Sequence, residues 1–493
     1  MIFATLFDYN ASFRNTIKNP IHHYYRPLLK EIFIERFNLN TFADSQFLNQ
    51  NMNMLLLKRS AFLTLICLCL IVGAKAQKIS FTEYDLFNGL HVILHQDKKA
   101  PVVAVTVYYH VGSKNEELNR TGFAHFFEHL LFEGTDNIKR GEFSKYVTSN
   151  GGRDNATTSQ DRTYYHEEFP SNQLKLGLWL ESERMLHPVI NEVGVKTQNE
   201  VVKEEKRQRI DNQPYGHFLE AAFSKLFTLH PYRWQPIGSM ADLDAATLDE
   251  FKAFFHKYYV PNNAVLSIAG DIDIDSTKKL VSAYFSDIPK AAPVVQPNIK
   301  EQPITKEIID TTYDANIQIP AIMAAYRTPG KATHDSKVLN MITSYLSGGA
   351  SSKLYKKMVD DKKNALQVGA FNFALEDYGA YITYALPNNN ADLNTLLKDI
   401  DDEVAKVQTS LISETDYQKL LNQFENDYVS NNTHMLDVAG NLSENYIVFH
   451  NTGHINDVLN EYRKITRQEI MEVAKKYLNK NQRVVLYYLP KSK

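Results

Sequence analysis

Apolar positions along residues 77–493 recur in two rhythms. Segments 90–95 and 102–110 are dense in β-branched, aliphatic and aromatic side chains, and they predict two strands. Segment 122–132 predicts a helix, and further helices follow over 174–186, 193–210 and 248–259. A short apolar run over 263–270, closing on Gly270-Asp271, predicts a buried strand. Between 288 and 303 the periodicity stops, and Pro289, Pro293, Pro297 and Pro303 mark a linker. The order then begins again. A strand is predicted over 322–326, helices over 337–346 and 352–359, strands over 366–373 and 381–386, and a helix over 393–407. The two halves also end alike: Lys257-Tyr258-Tyr259 leads into an apolar run at 265–268, and Lys476-Tyr477-Leu478 leads into another at 484–489. This ordered repeat predicts two α+β domains, 77–287 and 304–493, joined by the linker 288–303. Hairpin-like and longer connections are mixed, which argues against a purely parallel, doubly wound sheet.

Length supports the division, because 493 residues exceed what one ordinary core accommodates. The formal charge of −3 gives no electrostatic reason to expect a nucleic acid partner. Both cysteines, Cys67 and Cys69, lie inside the apolar run 61–73, which follows Lys58-Arg59 and precedes Ala74-Lys75-Ala76. A basic start, an apolar run and an A-x-A end have the layout of a cleavable secretory signal, here 52–76. That run is too short to span a bilayer. Met52 and Met54 sit just upstream of the basic pair, so 1–51 is expected to be a mis-assigned extension. The mature chain would carry no cysteine, hence no disulfide and no thiolate chemistry. Export is expected, to the periplasm or outside the cell, with no stable membrane span in the mature chain. Residues 1–76 hold eight basic and four acidic side chains, so their removal leaves a net charge of −7.

The densest chemistry lies in Thr121-Gly-Phe-Ala-His125-Phe-Phe-Glu128-His129. Helical spacing puts His125, Glu128 and His129 on one face. Two imidazoles one turn apart can hold one zinc ion. Glu128, beside the second histidine, can stay off the metal and act as a general base toward an attacking water. Two histidines and a carboxylate in an otherwise apolar helix need such a reason. A third ligand is required, and helix 193–210 carries Gln198, Val201, Val202 and Glu205 as one stripe. Glu205 thereby points inward, whereas Glu204 lies one turn from the charged Glu200.

These residues resemble the pitrilysin/insulinase family of metallopeptidases. Its zinc motif is H-x-x-E-H, followed about 75 residues later by a glutamate ligand. Here 75 residues separate His129 from Glu205, and the surrounding text, EVVKEEKRQ at 200–208, is similar to that family's helix. Further matches are SNGGRDNATT at 149–158, HPYRW at 230–234, PNNAVLSIAGD at 261–271 and SGGASSKLY at 347–355. The resemblance spans residues 77–493 and is to the shorter, two-domain members, which include subunits of mitochondrial processing peptidases. It implies two homologous α+β domains forming one half of a clam shell that encloses unfolded peptides. It also implies zinc on His125, His129 and Glu205, with Glu128 as base. Asn155 and Ala156 are implied to lie on an edge strand that pairs with the substrate as an added strand.

Two departures stand out. Many relatives carry a second glutamate seven residues before the ligand; here Gln198 stands in that place and can serve only as a hydrogen-bonding partner behind the ligands. Active relatives also supply an arginine and a tyrosine from the second half to hold the substrate carbonyl. Val359 and Leu366 occupy those places, with Tyr355, Lys356 and Lys357 on a solvated helix face nearby. The expectation is a zinc metalloendopeptidase for peptides or small unfolded proteins, working with a homologous second subunit or as a homodimer. The alternative is a low-activity or non-catalytic peptide-binding subunit of a processing-peptidase-like complex.

Overall fold

In the computed structural model, which describes residues 78–491, the apolar runs assemble into two mixed sheets. The expected extension 1–51 and signal segment 52–76 lie outside the described residues. The first sheet contains β1 (Thr82–Asp85), β2 (His91–Gln96), β3 (Val102–Tyr109), β4 (Arg153–Thr158), β5 (Thr163–Pro170) and β6 (Ala264–Gly270), in the order β1-β2-β6-β3-β5-β4. The second contains β7 (Ile308–Asp314), β8 (Ala321–Pro329), β9 (Ala365–Ala374), β10 (Tyr378–Pro387) and β11 (Arg483–Pro490), in the order β7-β11-β8-β10-β9. The series β2-β6-β3-β5-β4 is repeated as β7-β11-β8-β10-β9 with the same directions: one parallel pair, then three antiparallel ones. The chain therefore has two homologous α+β units with mixed sheets.

The helices of the first half are α1 (Phe123–Leu130), α2 (Phe143–Ser149), α3 (Leu174–Leu186), α4 (Glu192–Lys206), α5 (Phe218–Leu226), α6 (Met240–Ala245), α7 (Leu248–Tyr258) and α8 (Ile274–Phe285). Those of the second are α9 (His334–Ser347), α10 (Leu393–Thr409), α11 (Glu414–Ser430), α12 (Met435–Phe449), α13 (Val458–Lys464) and α14 (Arg467–Tyr477). The similar endings of the two halves have a local cause. Helices α7 and α14 both begin with a capping box, Thr247 with Glu250 and Thr466 with Glu469, and both lead into a buried strand, β6 and β11.

The halves exchange helices. One face of the first sheet is covered by α1, α3, α7 and α8 of its own half. Its other face packs on α12 of the second half, through Tyr108, Val265 and Ala269 against Val438, Ala439 and Leu442. Reciprocally, Phe218, Leu219, Phe223 and Leu226 of α5 pack on Met323, Ala325, Ile382 and Leu486 of the second sheet. Each fully buried valine, leucine, isoleucine, phenylalanine or methionine among them contributes about 1.5–3 kcal/mol, so each half depends on the other to cover a sheet. The segment between α8 and β7 is held down as well. Gln296 donates to His110 O (2.9 Å), and Glu301 accepts the backbone N–H groups of Thr228, Leu229 and His230.

A charged cluster seals the junction where the β9–β10 turn meets the first half. Lys114, 1% exposed, lies 2.5 Å from Glu376, 3.2 Å from Asp161 and 3.7 Å from Asp377. His110 Nε2 is 2.7 Å from Glu376, and Tyr232 OH donates to Asp161 at 2.5 Å. Burial opposes the Glu376 carboxylate, but His110 and Lys114 outweigh it and hold its pKa down to about 2, from an ordinary 4.5. Because the folded value is depressed, this stabilisation is complete above pH 4.5 and is lost as pH falls toward 2. Glu376→Gln is expected to cost on the order of 2–3 kcal/mol at pH 7 and progressively less between pH 4.5 and 2. Urea unfolding at several pH values measures both; a penalty that did not shrink with acid would assign the effect to packing.

Two expected elements need correction. In the stripe predicted along 193–210, Val202 is fully buried, but Val201 is 43% exposed. Positions 198, 202 and 205 follow the inward line at four- and three-residue steps, and 201 falls just outside it. The α-helix also stops at Lys206, and Arg207–Asp211 continues as a wider π turn. The helix expected over 352–359 is likewise π-wound, over Tyr355–Asp361.

Candidate metal centre

α1 carries its apolar side chains on one arc. Phe123 and Phe126 each stack on Phe251 with ring centroids 4.6 Å apart, and Phe127 and Leu130 are buried in the same core. The helix begins at Gly122, whose φ of +93° is left-handed and whose Cβ, if present, would meet Ile237 O at 2.9 Å. A glycine is needed there on both counts. The Glu116 carboxylate accepts the N–H groups of Gly122 and Ala124, each at 2.9 Å, in place of a capping side chain. Tyr165 OH donates to Phe127 O at 2.7 Å and fixes the helix against β5.

The other arc presents His125, Glu128 and His129, and α4 brings Glu205 to meet them. Glu205 Oε2 lies 3.0 Å from His129 Nε2 and 3.5 Å from His125 Nε2. The three residues offer ligand atoms within 4.8 Å of one another. Ligands at about 2.0–2.1 Å from a tetrahedral zinc are separated from each other by about 3.4 Å. The donor set, two imidazoles and a carboxylate, therefore fits zinc in kind and spacing. Glu205 Oε2 is buried and turned toward the two imidazole nitrogens, an arrangement in which a bound cation would be shared by all three.

Electrostatics favour a metal over a proton here. Burial, aided by neighbouring His129, lowers the His125 pKa to about 4, so its imidazole is neutral at pH 7. Burial would raise Glu205, but His129, His125 and Arg209 outweigh it and keep the carboxylate ionised. Burial raises Glu128, against a hydrogen bond from Thr158 that favours its charged form. That bond, Thr158 Oγ1 to Glu128 Oε2, is 2.6 Å long.

Thr158 ends β4, the edge strand of the first sheet, and Asn155 and Ala156 lie on the same strand. Asn155 is exposed and Ala156 buried; the N–H of Ala156 donates to Asn155 Oδ1 at 2.9 Å. Gln198 is not joined to the cluster: its amide donates to Glu133. Glu204 faces away and pairs with Arg207 at 2.6 Å. In the second half, Val359 packs against the core and Leu366 is 52% exposed at the start of β9, the edge strand equivalent to β4. Neither side chain can donate a hydrogen bond.

Three residues that spacing alone did not single out complete the site: Glu116, Thr158 and Arg209. Arg209 Nη1 donates to Glu205 Oε1 at 2.6 Å, and its position four residues after Glu205 was the one available signal. Beside His125 and Glu205 opens a cavity of about 620 Å³, walled by Leu219, Trp234, Ile237 and Met240 and by the charged Lys206 and Arg209.

The chain is also similar to known proteins. Residues 91–233 match the family model described as Insulinase (Peptidase family M16), and residues 245–424 match that of the Peptidase M16 inactive domain. The chain is 31% identical over 410 residues to zinc protease PqqE of Helicobacter pylori, covering 82% of this chain and 92% of that relative. Its fold is similar to the crystal structure of a protease from Helicobacter pylori, with TM-score 0.80 and 29% identity over 84% of this chain and all of the other. The first half of the periplasmic protease PqqL from Escherichia coli superposes with TM-score 0.70 at 18% identity, over 85% of this chain and 93% of that one.

Proposed function

The chain belongs to the insulinase family of peptidases, M16, and we propose that it is an exported zinc metalloendopeptidase for peptides or small unfolded proteins, acting as the zinc-bearing subunit of a two-chain assembly. One observation carries the proposal: His125, His129 and Glu205 converge while Glu128, on the same helix face, is held by Thr158 and not by the cluster. A purely structural zinc site has no use for a fourth, separately held carboxylate.

Zinc, when bound by His125, His129 and Glu205, supplies a Lewis acid that activates water and polarises the scissile carbonyl. Glu128 takes the water proton and passes it toward the leaving amine. Thr158 holds Glu128 Oε2, which leaves Oε1 as the proton acceptor. β4 takes the substrate as an added strand through Asn155 and Ala156, with a substrate carbonyl replacing Asn155 Oδ1 on the Ala156 N–H. The adjoining cavity receives a substrate side chain, and Gln198 buttresses α4 through Glu133. Export rests on the signal-like segment 52–76, with the periplasm as the destination and the outside of the cell as the alternative. No helix among the described residues is long and apolar enough to cross a membrane.

The purified protein is expected to hold about one zinc per chain, and His125→Ala, His129→Ala and Glu205→Gln should each weaken binding greatly. Metal analysis after dialysis against a chelator buffer tests this. Full zinc retention by Glu205→Gln together with loss by Glu204→Gln would move the third ligand by one residue.

A further inference from the structure

Resting on that proposal, we infer that Arg209 is the positioning residue of the metal centre, holding one oxygen of Glu205 so that the other alone faces the two histidines. The two carboxylate oxygens of Glu205 have separate partners. Oε1 accepts from Arg209 at 2.6 Å, whereas Oε2 faces the two histidines, 3.0 and 3.5 Å from their Nε2 atoms. Among the described residues, Arg209 is the one lysine or arginine within salt-bridge distance of Glu205. The neighbouring charges are engaged elsewhere: Arg207 with Glu204 at 2.6 Å, and Lys206 with Asp211 at 2.9 Å.

The backbone explains why this arginine reaches. Glu205 lies in the last turn of α4, and the chain widens into the π turn Arg207–Asp211 just beyond it. Arg209 therefore stays on the side of Glu205, where it also lines the cavity beside His125. A carboxylate with both oxygens unrestrained can chelate a metal through both, filling the position that an open catalytic site keeps for water or substrate. A guanidinium on one oxygen prevents this and fixes the direction of the remaining lone pairs. The bland alternative is an exposed helix pair at i, i+4, worth a few tenths of a kcal/mol and without consequence for the metal; Arg209 is 54% exposed.

Zinc affinity and cobalt spectroscopy on the purified protein separate the two. Arg209→Met is expected to bind zinc about 10-fold more weakly and, loaded with Co²⁺, to lose visible absorption as the coordination number rises above four. Arg209→Lys should restore most of both, and Arg207→Met, one turn face away, should change neither. Wild-type zinc affinity and an unchanged cobalt spectrum in Arg209→Met would overturn the inference while leaving the metal centre standing. If the wild-type protein itself failed to bind zinc through His125, the metal centre and the inference would fall together.

Discussion

Glu128→Gln is expected to keep its zinc and to hydrolyse peptides about 10²–10⁴-fold more slowly than the parent chain. The amide keeps the size of the carboxylate, and its oxygen can still accept the Thr158 hydroxyl, so the face of α1 should not rearrange. What it cannot do is take a proton near neutral pH. The ligand substitutions have the opposite signature: they remove metal and activity together. Measuring metal content and the turnover of a quenched fluorescent peptide on the same samples distinguishes base from ligand. A Glu128→Gln protein that lost zinc would make Glu128 a ligand, and one that cleaved at the parental rate would remove it from the chemistry altogether.

The parts of the site that could be read from the sequence are those that one helix, or one helix and its period, contain. His125, Glu128 and His129 are a local pattern, and three- and four-residue steps on a single helix fix their common face. Glu205 was legible because Val202, three residues before it, had to be buried. The same pattern included Val201 wrongly, since a stripe wide enough to hold a core face also admits its edge. Thr158, Glu116 and Arg209 were harder. Thr158 meets Glu128 only after β4 has been laid beside β5 at the sheet edge, and Glu116 reaches α1 from a preceding loop.

The apolar pattern alone passed over the β4–β5 hairpin, whose edge strand only the family resemblance implied, through Asn155 and Ala156. Its text, RDNATT and TYYHEEFP, alternates correctly but places Glu167 at a core position. That residue is fully buried and lies 3.2 Å from Arg184, itself buried between the rings of Phe132, Phe143 and Tyr165. A core position filled by a glutamate breaks the apolar signal on which strand recognition depends. The exchange of α5 and α12 between the halves was illegible for another reason. Periodicity says that a helix has an apolar face, but not which sheet that face will cover. The repeat of sheet order, by contrast, was foreshadowed by the repeated endings, because capping boxes and buried strands are local.

Adding a homologous chain that lacks H-x-x-E-H, but carries an arginine and a tyrosine in its second half, is expected to raise peptide turnover by about 10²–10³-fold. Hydrolysis of a peptide bond passes through a tetrahedral oxyanion, and one missing hydrogen-bond donor costs about that factor. This chain brings the metal half of such a site: a converged ligand set and a separately held base. At the two places where the family resemblance leads one to expect an arginine and a tyrosine, it has a valine packed against its own core and a leucine exposed on an edge strand. Lys356, nearby, is paired with Asp360 at 2.8 Å and lies on the solvent side of the π-wound segment. Leu366 is more than half exposed, and an exposed apolar side chain at a sheet edge is the surface a second chain would cover. The measurement is turnover of one fluorescent peptide by each chain alone and by the mixture, with the partner's arginine and tyrosine substituted singly. Each substitution should abolish the gain while leaving the zinc content of this chain unchanged. High turnover by this chain alone, undiminished by dilution, would mean that a donor within it, with Arg209 the first to test, already holds the oxyanion.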